Sequence, residues 1–300
     1  MGYRVRLLPT AGALLLAAIA PASAGASQLI GRNASHVRLA VSPSGVAHLA
    51  YRSHGRQRHV LVWGAVNAVR PNPTRPQVEF KVDYSGGGAR GGIRPWQSFR
   101  FGCAPYDGPA LAWLVTACRA RDGSYWAVQR WSRLVPRGRT MTSPGVDREL
   151  RISHWTGGIA HLAMNVDWAY GRYDHVYGRL TYRGFPVYAF GATRTGVPRD
   201  GYGRNIYLDT LDSALGVGWR RENSFLSHNP TGVFCYTLFP RSPGPPGSGK
   251  AYRATVMGPG VTPDVVWTGR APGPYDHARE LEANAEQRAL FSGDRRCRPR

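Results

Sequence analysis

Lysine is almost absent from this 300-residue chain: Lys81 and Lys250 are the only two, so 37 of its 39 basic side chains are arginine. Carboxylates are also scarce, at 18, which leaves a formal charge of +21. Arginine-for-lysine drift in a GC-rich genome explains the choice of base but not the shortage of acids. Arginine forks match carboxylate, phosphate and sulfate oxyanions, so the excess favours acidic ligands. The arginines are scattered rather than gathered into one block, which argues against nucleic-acid binding. No apolar run after residue 26 reaches the ~18 residues of a membrane-spanning helix.

Several chemistries lack their signatures. There is no H-E-x-x-H helix motif, no G-x-S-x-G elbow, no phosphate-binding glycine loop and no EF-hand spacing after Asp209 or Asp212. No C-x₂₋₄-C pair offers a zinc site. His154, His161, Asp167, Asp174 and His175 cluster in sequence, but strand geometry spreads them. His154 faces the apolar side, and His161 and His175 are expected about eight residues, or roughly 26 Å, apart. Neither a metal nor a cofactor is therefore expected.

The first twenty-six residues have the form of a secretory signal. Arg4 and Arg6 make a positive head, Leu7–Ala20 is nearly all apolar, and Ala22-Ser23-Ala24 and Ala24-Gly25-Ala26 are cleavage sites. Arg4 and Arg6 are split by Val5, so there is no twin-arginine pair. The mature chain of about 275 residues is expected outside the cytoplasm, with core-forming capacity for one large or two modest domains. The even count of cysteines then predicts two disulfides, Cys103–Cys118 and Cys235–Cys297 as nearest pairs, among three possible connectivities. The Asn33-Ala34-Ser35 sequon matters only in a glycosylating host.

Alternating apolar residues and turn residues predict a mainly β, antiparallel fold of sandwich or jelly-roll kind with one C-terminal helix. Residues 27–84 read as an N-terminal meander, a possible subdomain. Residues 85–94 are a glycine-rich linker, 95–239 the main β domain, 240–250 a Pro/Gly linker, and 251–300 a hairpin and helix. Asp122-Gly123 marks a tight turn. Asp276 is placed to cap the helix, with Ala278, Leu281, Ala285 and Ala289 along one face.

Between 148 and 182, keeping apolar faces together predicts a register. A loop at Gly171-Arg172-Tyr173 sets Trp168 beside Val176 and Met164 beside Leu180. A loop at Thr156-Gly157-Gly158 sets Ile152 beside Leu162. Glu149, Asn165 and Arg179 then line up as a polar platform, with Asp167 beside Tyr177 and His161 beside Ser153. Such a platform is either a sugar- or peptide-binding surface or the ordinary wet face of a sheet.

The densest polar and aromatic stretch is Gly201–Phe225. It holds the candidate carboxylates Asp209, Asp212 and Glu222, together with Arg204, Asn205, Arg220, Arg221 and Asn223. A glycosidase needs two carboxyls about 5–9.5 Å apart across a cleft. The competing reading is turn closure and surface ion pairing. The nine tryptophans allow sugar stacking, although most are expected in the core, Trp126 and Trp168 among them.

The stretches RHVLVWGAVNA (58–68), CAPYDGPALAWL (103–114), DGSYWAVQRW (122–131) and GRNIYLDTLDSALGVGWRRENSF (203–225) resemble those of uncharacterised secreted proteins of high-GC Gram-positive bacteria. That resemblance implies export and no defined activity. The leading expectation is a secreted, non-catalytic binding or structural protein of the cell envelope. Glycans are its expected partners, acidic ones included. Its alternative is a secreted polysaccharide hydrolase working through a carboxylate pair.

Overall fold

The computed structural model describes residues 27–64, 80–88, 94–99, 102–132, 148–171, 173–194, 197–222, 225–226, 237–239, 249–258 and 263–292. They form four antiparallel sheets, none closed, and one helix. The mainly β expectation holds, with a single C-terminal helix. The sheets stack as two pairs around two hydrophobic cores.

In the first pair, β1 (Ser27–Arg32) leaves its sequence neighbours and pairs with β9 (Arg148–Trp155). That sheet continues through β8 (Tyr125–Ser132), β7 (Leu114–Ala120) and β6 (Cys103–Pro105). The facing sheet runs β2 (Ser35–Val41), β3 (Ala47–Ser53), β4 (Arg56–Gly64), β5 (Phe80–Asp83). Its turns are those that the sequence calls for. Ser42 closes the first, accepting the amides of Gly45 on its carbonyl and Val46 on its hydroxyl. His54-Gly55 makes the second, both residues at positive φ as a two-residue primed turn requires. Alternation delivers Leu49, Val60 and Val62 to one side of the core and Trp126, Val128 and Ile152 to the other. Cys103 and Cys118 are bonded across the β6–β7 pair, with Cα atoms 5.6 Å apart. Cys235 and Cys297 lie outside the described residues, as does Asn223.

In the second pair, β10 (His161–Ala169) and β11 (Tyr173–Tyr182) are joined by β12 (Phe185–Val187), β17 (Phe225–Leu226) and β18 (Thr237–Phe239). The facing sheet contains β13 (Ala189–Ala192), β14 (Pro198–Asp200), β15 (Asn205–Ser213), β16 (Gly216–Arg221), β19 (Ala251–Met257) and β20 (Val265–Arg270). Leu162, Val166, Val176 and Leu180 pack against Ile206, Leu208, Ala254 and Val256. The 95–239 block expected from linker composition thus contributes strands to both cores.

Two details of the expected register differ. Strand β9 pairs with β8 and β1, not with β10, so Glu149 never joins Asn165; it sits beside Arg151 and Arg32. Residues 156–160 carry the chain from one core to the other. The β10–β11 hairpin closes with Ala169 opposite Tyr173, so Val166 faces Val176 and Leu162 faces Leu180. This two-residue shift leaves every side chain on its expected face, and burial patterning is blind to it. Asn165 consequently meets Tyr177, Asp167 meets His175, and Arg179 meets Ala163.

The helix α1 (His277–Ser292) is capped by Asp276, whose Oδ1 accepts the amides of Ala278 and Arg279. The face it buries is Glu280, Ala283 and Gln287, whereas Leu281 is 54% exposed. The surface beneath explains the difference. It is the polar side of β10–β11, where Asn165 and Tyr177 donate to Glu286, Arg279 pairs with Asp167, and Glu280 accepts the Gly171 amide. Polar groups on the sheet select polar groups on the helix.

Candidate functional site

The segment singled out in the sequence becomes β15, its turn and β16. On β15, Ile206, Leu208 and Thr210 point into the second core. Tyr207, Asp209 and Leu211 point to the opposite face. Asp209 stands directly across from Arg221 on β16 and from Arg253 on β19, so one row reads Arg–Asp–Arg over three strands. Arg221 Nε donates to Asp209 Oδ1 at 2.5 Å, and Arg253 Nη2 and Nε donate to Oδ2 at 3.0 and 3.2 Å. One carboxylate serves two guanidinium groups, which leaves the row with a net positive charge.

Aromatic rings hold both guanidinium planes. Arg221 lies 3.9 Å from the Tyr207 ring centroid. Arg253 is between Trp219 at 4.3 Å and Trp113 at 5.0 Å. These are cation–π distances. Trp113 comes from the loop before β7, in the other sheet pair, and stands edge-on to Trp131 at 4.1 Å. It remains 39% exposed, while Tyr207 and Trp219 are half-buried. Thr268 and Arg270 of β20 extend the same face and are exposed. The result is a cationic, aromatic-lined face with a rigid, internally bonded floor.

The remaining candidates fall elsewhere. Glu222 is buried behind β15: its amide donates to Leu208 O, and its carboxylate accepts from Thr210 Oγ1. Asp209 and Glu222 therefore lie on opposite sides of β15 and do not converge across a cleft. Asp212, at the irregularity near the end of β15, accepts the Gly218 amide and pairs with Lys250 at 3.0 Å. The amide bond first, and Lys250 second, hold its carboxyl below the usual range. Arg204 is fully buried and ion-paired to Asp200 at 2.8 Å, closing the turn between β14 and β15. Asn205 donates to the Tyr207 hydroxyl at 3.1 Å. Arg220 is exposed. Asn165 lies under α1 with Glu286, and Arg179 is exposed on that sheet.

Two contributors escaped the sequence reading, Arg253 and Trp113 as its stacking partner. Neither has a local signature, since both arrive through pairing over long separations. A third arrangement was also unforeseen. Tyr252, deep in the second core, donates to Asp174 and is near enough to Glu222 to feel its charge. Burial first, then the charges of Asp174 and Glu222, push its phenol far above the ordinary value. All three are at most 5% exposed, so this cluster is sealed.

Among the described residues no group of three or more His, Cys, Asp or Glu is placed to hold a metal ion. No described helix is long and apolar enough to cross a membrane. No protein-family model, curated protein or solved structure matches the chain. The class is accordingly defined by the molecule alone: a two-core antiparallel β protein with an intramolecular disulfide and an arginine–aromatic face.

Proposed function

We propose that this chain is an exported, non-catalytic binding or structural protein of the cell envelope, and that its ligand is a glycan bearing acidic groups. The observation that carries the reading is the Arg221–Asp209–Arg253 row flanked by Tyr207, Trp219 and the exposed Trp113. Aromatic rings offer flat apolar surface to the C–H faces of a sugar ring. The surplus guanidinium charge, extended by Arg270, attracts its carboxylate or sulfate. Export is supported by the signal-like first twenty-six residues and by the Cys103–Cys118 bond, which fits an oxidising compartment.

A glycan array probed with the mature protein at low and high salt tests the proposal. Acidic polysaccharides should bind at low ionic strength and weaken as salt screens the arginines. Trp113→Ala removes only one half-exposed ring, so it should weaken binding about three- to tenfold while leaving the fold intact. Absence of glycan binding at low salt, or equal binding by the Trp113→Ala protein, would refute it.

A further inference from the structure

The outer face of the β2–β5 sheet carries an arrangement unrelated to the arginine–aromatic face. His48 on β3 and His59 on β4 touch through ring nitrogens, Nε2 to Nδ1, at 3.0 Å. Their ring planes are parallel, at 0°, and their centroids are 5.2 Å apart. That separation is close to the greatest that a 3.0 Å nitrogen–nitrogen contact permits. The rings therefore lie side by side in one plane, with the two nitrogen lone-pair axes nearly in line. A single proton fills the gap, since one nitrogen must donate and the other accept.

Trp96, from the 3-10 turn Pro95–Ser98, covers the pair. Its ring is 4.9 Å from His48 and 4.8 Å from His59, tilted only 13° from each. The three distances place the indole centroid about 4 Å from the midpoint between the nitrogens, inside cation–π range. Phe99 packs edge-on against His48, which is 7% exposed. Gly86 backs His59 so tightly that a Cβ there would stand 2.8 Å from its Cβ and carbonyl oxygen. Burial keeps both imidazoles below their ordinary pKa.

We propose that His48 and His59 form a two-coordinate site for a monovalent d10 cation, Cu(I) or Ag(I), beneath the indole of Trp96. Two in-line imidazole nitrogens supply the linear geometry that such ions accept. The ion takes the place of the shared proton, which passes to the other ring nitrogen of the donating histidine so that both imidazoles stay neutral, and the nitrogens separate by roughly 1 Å to take metal–nitrogen bonds of about 2 Å. Divided between two rings, that is about half an ångström each. Zinc requires four ligands and Cu(II) a tetragonal set. No third His, Cys, Asp or Glu among the described residues completes either. The positive charge of Arg94 beside His59 further favours a singly charged guest over a doubly charged one.

The experiment uses the mature protein with its disulfide intact, titrated with Ag(I) alone and, under anaerobic conditions, with Cu(I) held by a competing chelator. One equivalent should bind and quench tryptophan emission. His59→Gln should abolish that equivalent. Trp96→Phe should retain the stoichiometry, lose the quenching and weaken affinity about three- to thirtyfold. X-ray absorption of the Cu(I)-loaded wild type should show two nitrogen neighbours in a linear arrangement, a readout independent of how any variant folds. Sulfur in the coordination shell, a third or fourth ligand, or an equivalent that persists in His59→Gln would overturn the assignment.

Discussion

Asp209 shows how much one side chain can carry. It is 1% exposed and is the shared acceptor for Arg221 and Arg253, whose side chains are 11% and 10% exposed. Removing the carboxylate leaves two largely desolvated guanidinium groups facing each other. Asp209→Ala should therefore cost about 3–5 kcal/mol of folding stability, measured by urea unfolding. Gly178 is a steric case. A Cβ there would lie 2.1 Å from the Ala163 carbonyl oxygen and 2.7 Å from the Met164 Cα, both backbone atoms that cannot swing aside. Gly178→Ala should lower stability by about 1–3 kcal/mol through forced separation of β10 and β11. Neither position announces itself in sequence. Asp209 reads as one of several acids in a polar stretch, and Gly178 as a weak point in a strand. Each gains its meaning from the strand that lies opposite.

At the scale of elements, α1 is the instructive piece. Its span and its Asp276 cap follow from local rules, which act within a few residues. Its docking face does not, because a helix packs against whatever surface the fold presents. Here that surface is the polar side of β10–β11, and Glu280, Arg279 and Glu286 answer it. Glu280 accepts the Gly171 amide and the Tyr275 hydroxyl. Glu280→Ala should accordingly cost about 1–3 kcal/mol and raise hydrogen exchange at the Gly171 amide. Leu281→Glu, on the exposed side, should change stability by less than about 0.5 kcal/mol. Reversal of these two results would mean that the helix docks through its apolar stripe. The alternation along β10 and β15 was legible for the same local reason as the helix span. The pairing of β9 with β1 was not, since β1 is more than a hundred residues away and its partner is chosen by the completed sheet.

The whole molecule is two cores tied together, and Asp264 is the knot. Its backbone bonds both ends of the Gln129 amide, while its carboxylate accepts Ser27 Oγ at 2.8 Å and the Gly258 amide at 3.0 Å. Asp264→Ala should loosen the two sheet pairs from each other, splitting a single calorimetric transition into two. Asp264→Asn can keep both bonds by accepting from Gly258 and donating to Ser27, and should keep one transition. The pH dependence also belongs to this scale. Burial drives the His175 imidazole down to about 3 and lowers that of His154 as well. Between those folded values and about 6.5, the unfolded chain binds more protons than the native one. Stability is therefore complete above about pH 6.5 and falls as pH drops, by up to about 1.4 kcal/mol per pH unit for each histidine. Asp264 acts in the opposite sense: burial raises its pKa, so its contribution declines as pH rises through the folded value. Unfolding free energies measured from pH 4 to 7 should rise with pH, and more steeply in Asp264→Asn.

By itself the sequence determined the β class, most strand spans, the tight turns and the single capped helix, and it favoured the Cys103–Cys118 bond that the structure holds. Period-two burial, turn chemistry and short loop closure are all written within a few neighbouring residues. It also located the stretch that holds Tyr207, Asp209, Trp219 and Arg221. Only the tertiary structure decided which side of β15 each acid faces, that Arg253 and Trp113 complete the aromatic face, that α1 covers the Asn165 surface, and that His48 meets His59 under Trp96. Those outcomes depend on which strands become neighbours. Strand pairing is settled by the summed burial and hydrogen bonding of whole sheets, a quantity to which no short stretch of residues is sensitive.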